Sequence, residues 1–171
     1  GRSYYPAAVL NSVLGGGYTN RLNLEIRIKR GLSYGARSNV TWRDINSNFS
    51  AGAQTKNVSA AEVAELLANE INRIATDTVG QDELKPRTAT LTGNFGNSLE
   101  TTNGLAAQIR ELYLYGLKPE ELNSYTQNLQ NVTDAKVKNF ASKNIRGGDI
   151  IIVGDYAKFK DDLAKRFPNQ K

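Results

Sequence analysis

Apolar residues recur along this chain in two rhythms, and the change from one to the other places its elements. In residues 4–14, Val9, Leu10, Val13 and Leu14 fall at helical spacing; Pro6 suits a first turn and Gly15 a stop. Thr19 or Asn20 can cap a second helix over residues 20–30. At about 100° per residue that helix carries two apolar stripes, Leu22/Ile26 and Leu24/Ile28, with Asn23, Arg27 and Arg30 between them. Two stripes predict a helix sandwiched between layers.

The rhythm then shortens to two. Residues 34–43 alternate as a strand does, putting Tyr34, Ala36, Ser38, Val40 and Trp42 on one face. Residues 44–47 read as a turn, and 48–55 as the returning strand of an antiparallel hairpin, with Phe49, Ala51 and Ala53 sharing a face. Ser59-Ala-Ala-Glu62 has the spacing of a capping box. It opens a long helix with Val63, Leu66, Leu67, Ile71 and Ile74 inward.

From Asp82 to Ile145 the pattern is helical, with Gly93, Gly96 and Gly104 as weak points and residues 105–115 apolar enough for core. Pro119-Glu-Glu-Leu122 opens one helix there, with its acids at the positive end of the dipole; Thr133 caps another that faces Val137, Phe140 and Ala141 inward. Residues 149–153 read as a buried strand, and a last helix runs to Phe167. The order α-α-β-β-α-α-α-α-β-α predicts an α+β fold, a mainly antiparallel sheet covered by a layer of helices, in a single domain over 1–171.

Composition changes this picture by what is missing. The 171 residues contain no His, Cys or Met. An imidazole base, histidine-ligated zinc, thiolate metal sites and disulfides are therefore all excluded within the chain. Without Met the chain does not begin at its own initiator, so a processed product or fragment is expected. The net charge of +5 is spread thinly, and only Arg27-Ile-Lys-Arg30 is dense. A basic module for nucleic acid or an anionic surface is one reading of that balance, and ordinary solvated charge is the other. Lack of cysteine fits a periplasmic or cell-envelope location and also a cytoplasmic one.

Two local features carry candidate chemistry. Gly15-Gly-Gly17 is no phosphate loop, because a helix precedes it and no Lys-Ser/Thr pair follows; it reads as a turn. Arg27 and Tyr34 flank a helix-to-strand corner and could meet over a cleft, both offering donors to a carbonyl or carboxylate. Alternatively Arg27 pairs with an acid and Tyr34 is a core aromatic. Spacing alone favours the second.

The run Leu14-Gly-Gly-Gly17, Thr19-Asn-Arg-Leu22, Ile26-Arg27 and Arg30-Gly-Leu-Ser-Tyr34 resembles the pitrilysin (insulinase) family of zinc peptidases, in its C-terminal-type domain that lacks the zinc motif. The strand pair, the long helix, Pro119-Glu-Glu-Leu122 and the Ile-Ile-Ile-Val-Gly-Asp ending agree more loosely, in the same order. Ile28 departs from the family pattern, which has Glu there.

The resemblance implies a domain of a peptidase chamber whose zinc sits in a His-x-x-Glu-His domain or subunit elsewhere. It implies no catalytic and no metal residue here. Arg27 and Tyr34 would bind a peptide substrate. It also implies that one or more first strands of the sheet are missing, which leaves an exposed edge open to self-association. An architectural homologue without proteolysis, of the kind found as core subunits of respiratory complexes, carries the same pattern.

Overall fold

The structure, a computed structural model, describes residues 3–42 and 47–169. Helix α1 (Tyr4–Leu14) is its centre, touching the hairpin and five other helices. Tyr4, Tyr5, Ala7, Val9, Leu10, Ser12, Val13 and Leu14 are all buried, so α1 is apolar nearly all round, as an interior helix must be. The loop of residues 15–20 leads to α2 (Arg21–Asn23), which widens into a π-helical turn over Leu24–Ile28. Strands β1 (Ser33–Thr41) and β2 (Asn48–Thr55) pair antiparallel. Residues 43–46, which hold most of the expected turn, lie outside the described residues.

Then follow α3 (Ala60–Thr76), α4 (Gln81–Ser98), α5 (Thr102–Leu114), a 3-10 turn at Pro119–Asn123, α6 (Tyr125–Gln130), α7 (Asp134–Asn144) and α8 (Lys160–Arg166). Helices packed on an antiparallel hairpin make the α+β class that the pattern predicts. The caps at Asn20 and Thr133 form as expected, their side chains accepting from the amides of Asn23 and Lys136. The expected capping box does not: Ser59 ends a 3-10 turn and caps nothing. Gly93 and Gly96 do not interrupt α4, and α5 buries only Leu112, so residues 105–115 are mainly surface.

One end of α1 is held by aromatic rings. Tyr4 stacks on Tyr115 with centroids 4.8 Å apart, Phe95 stacks on Tyr125 at 4.2 Å, and Trp42 lies against Phe140. The hydroxyls of Tyr4 and Tyr125 share a 2.8 Å hydrogen bond, and Tyr5 donates to Glu121 at 2.8 Å. Glu121, expected as a dipole-complementing acid, is thus also a part-buried acceptor. Burial is the main reason that all four phenols are harder to ionise, with Tyr115 pushed up to about 12.

Residues 149–153 overturn another expectation. They form no strand, and Ile151 and Val153 are 85% and 94% exposed. The reason is that a strand needs a partner, and among the described residues the sheet has only β1 and β2. Between β2 and residues 147–153 lies a cavity of about 740 Å³, floored by Val63, Leu67 and Ile71 of α3. Two backbone edges with no ladder partner therefore face each other across apolar ground.

Candidate substrate-binding corner

The loop after α1 is built by close approach. A Cβ on Gly15 would stand 2.0 Å from the Ser38 amide nitrogen, so only glycine lets α1 end against β1. The amide of Ser38 donates to the Gly15 carbonyl at 3.1 Å, and its hydroxyl to Asn11 Oδ1 at 2.7 Å. Gly17 meets nothing. The triple glycine is thus graded: Gly15 has no room for a Cβ, Gly16 is tight at 3.0 Å from the Asn11 carbonyl, and Gly17 is open.

Asn23 binds the corner together. It is buried, its Nδ2 donates to the Tyr18 carbonyl at 2.6 Å, and its Oδ1 accepts from the Ala36 amide at 3.3 Å. Arg21 forks onto Glu83 of α4 through two bonds of 2.8 and 2.7 Å. Arg87 of α4 donates to the hydroxyl and carbonyl of Thr19. Loop, helix and strand are thus held to one another.

Only one of the two predicted stripes is buried: Leu22 and Ile26 are fully covered, whereas Ile28 is 49% exposed. The helix touches both β1 and α3, but its second stripe is not fully covered. Asn23, Arg27 and Arg30 also differ in surroundings, being buried, half-buried and exposed in turn. The cause is the π turn, in which the Lys29 amide reaches back to the Leu24 carbonyl at 2.9 Å. Its five-residue bond changes the angular step on which the wheel was drawn. Gly31, at φ 63°, then closes the helix and sends the chain into β1.

Charge in this turn is divided. Glu25 takes both Lys29 and Arg30, the latter at 2.7 Å, and the Lys29 bond foremost holds its carboxyl below the usual carboxylate value. Arg27 has no acid partner among the described residues; its guanidinium lies 4.9 Å from the centre of the Tyr18 ring. Tyr34 is 97% exposed and makes no hydrogen bond or ring contact among the described residues. Tyr34 is therefore no core aromatic, and no acid among the described residues pairs with Arg27. Arg27 and Tyr34 stand on the two arms of one corner, and Tyr18 joins Arg27.

Alternation had placed Tyr34 on the inner face with Ala36 and Ser38. It points outward because β1 carries a bulge: Ser33 pairs with Thr55 and Ala36 with Ala53, leaving Tyr34 and Gly35 opposite Gln54 alone. Neither Tyr18 nor this bulge was identified from sequence. An aromatic just beyond the glycine run, and a Ser two residues before a Gly, are the signals that mark them.

The family profile described as "Peptidase M16 inactive domain" matches residues 1–86. An uncharacterized zinc protease of Streptomyces coelicolor is 27% identical over 159 residues, which is 92% of this chain. The chain spans about a third of that curated relative's length, 34%. The solved peptidase M16 inactive domain from Pseudomonas fluorescens superposes with a TM-score of 0.75 at 26% identity, covering 84% of this chain and 35% of that one. A chain of complex III2 from Candida albicans shares the fold at a TM-score of 0.69 and 13% identity, over 84% of this chain and 36% of its own.

Zinc does not fit the donors present. The sequence has neither His nor Cys, and among the described residues no group of acids could hold a metal ion. The profile covers half of the chain, and the chain belongs to the peptidase M16 inactive-domain family.

Proposed function

We propose that this domain forms part of the substrate chamber of a zinc peptidase, with Arg27 and Tyr34 gripping the peptide backbone. The zinc belongs to a His-x-x-Glu-His domain or partner subunit. The observation that carries this reading is the state of the pair. Arg27 is the member of its basic run that no carboxylate among the described residues neutralises, and Tyr34 is exposed to solvent beside a locked corner. Guanidinium and phenol are both donors, suited to a peptide carbonyl and to the negative charge that develops on it.

The test is turnover of an unstructured peptide by this chain assembled with its zinc-bearing counterpart. Arg27→Ala and Tyr34→Phe are each expected to lower kcat/KM by about tenfold or more, the scale of a lost transition-state donor. Unchanged turnover in both variants would demote the pair to surface decoration. The chain alone should cleave nothing; chelator-sensitive hydrolysis by the purified chain would overturn the assignment.

A second reading, an architectural subunit without proteolysis, draws support from the fold shared with the complex III2 chain. Wild-type assemblies that never hydrolyse peptides would favour it. The unpaired outer edge of β2 supports a further expectation, self-association of this chain by edge pairing. Sedimentation that remains monomeric at high concentration would remove it.

A further inference from the structure

Two residues of β1 facing one of β2 leave the Gly35 backbone outside the regular ladder. Ser33 takes over both of its groups: the Ser33 hydroxyl donates to the Gly35 carbonyl at 2.7 Å and accepts from the Gly35 amide at 3.1 Å. The glycine itself is no steric requirement, since a Cβ there would meet nothing within 4 Å and its φ is not positive. Thr55, the cross-strand partner of Ser33, donates from its hydroxyl to the Leu32 carbonyl at 2.5 Å, which anchors the near side of the bulge. On the far side, Ala36 is pinned by Asn23. Between these two anchors a single hydroxyl holds the irregular step of the described ladder, and that step decides which way Tyr34 faces.

We infer that Ser33 is the positioning residue for Tyr34, holding the bulge that turns the phenol toward substrate. The inference rests on the substrate-binding reading of Tyr34. Without the hydroxyl, regular alternation competes, and that alternation places Tyr34 on the side of Ala36 and Ser38. Threonine keeps the hydroxyl and suits a strand.

The experiment has two arms. In the first, the chain itself is nitrated with tetranitromethane, and the rate at Tyr34 is followed by peptide mass mapping in wild type, Ser33→Ala and Ser33→Thr. The Ala variant is expected to slow nitration of Tyr34 severalfold and the Thr variant to restore it. In the second, kcat/KM is measured for Ser33→Ala in the assembled peptidase, with Tyr34 present and on a Tyr34→Phe background. A loss of about tenfold is expected with Tyr34 present, the scale of one or two neutral hydrogen bonds, and none on the Phe background.

Wild-type nitration in Ser33→Ala, or an equal kinetic loss on both backgrounds, would overturn the inference. The second of those results is what a merely stabilising serine gives. The fate of the substrate reading is told separately by Tyr34→Phe, because the nitration arm does not depend on any activity.

Discussion

The corner of residues 14–34 and the segment of residues 147–153 hold the two most recognisable stretches of the sequence, and they meet opposite fates. The corner closes on itself: Gly15 abuts Ser38, Asn23 joins the loop to β1, and Glu25 gathers Lys29 and Arg30. Ile150-Ile-Ile-Val153 has stronger apolar character, yet Ile151 and Val153 lie in solvent. The Asn20 cap and the π turn are completed a few positions away, and Gly15 and Asn23 find β1 beside them. Residues 149–153, by contrast, have no strand beside them among the described residues. Hydrophobicity without a neighbour is only a demand for one.

The largest expected effect tests that contrast directly. Leu22→Ala empties a fully buried site in the corner and should cost about 2–5 kcal/mol in urea unfolding. Ile151→Ala should stay within about 0.5 kcal/mol, as exposed positions do. Equal losses would break the comparison, by showing that residues 147–153 are covered in solution.

Gly15→Ala comes next. Its methyl would enter backbone, not a yielding side chain, so about 1–3 kcal/mol should be lost, while Gly17→Ala in open space is near neutral. A Gly17 variant as damaging as Gly15 would mean that the loop as a whole, and not one contact, sets the corner.

The third effect vanishes at neutral pH. An unfolded tyrosine ionises near pH 10, whereas folded Tyr115 keeps its proton to about 12, and Tyr4, Tyr5 and Tyr125 are shifted the same way. Between those values the unfolded chain has released protons that the folded chain retains, so stability falls as pH rises. A thermal midpoint followed from pH 7 to 12 should be level and then drop above 10, with phenolate absorbance of the buried rings rising together with unfolding. Ionisation of the buried rings in a still-folded chain would show that the aromatic end is looser than the corner.

Much of the fold is legible in the sequence, because its signals are local. Pro6 and Gly15 bound α1, Asn20 and Thr133 cap their helices, and alternation marks both strands. At the corner the sequence also points to Arg27 and Tyr34. It does not reveal how they are presented, because each depends on a break in the period used to find it. Arg27 sits in a π turn that a wheel of constant angle cannot draw, and Tyr34 beside a bulge that strict alternation cannot contain. Ser59 shows the converse failure: the letters of a capping box are present, but a 3-10 turn has already taken the backbone it would cap.

The bulge in β1 has a consequence best put as parity. Facing along a strand is decided by whether a count is odd or even, not by which residues are counted. Tyr34 and Ala36 are separated by an even step yet face opposite ways, so the surplus residue Gly35 is what reconciles them. A chain one residue shorter at this point would present the same tyrosine outward on an unbroken ladder, and there the hydroxyl of Ser33 would have nothing to hold.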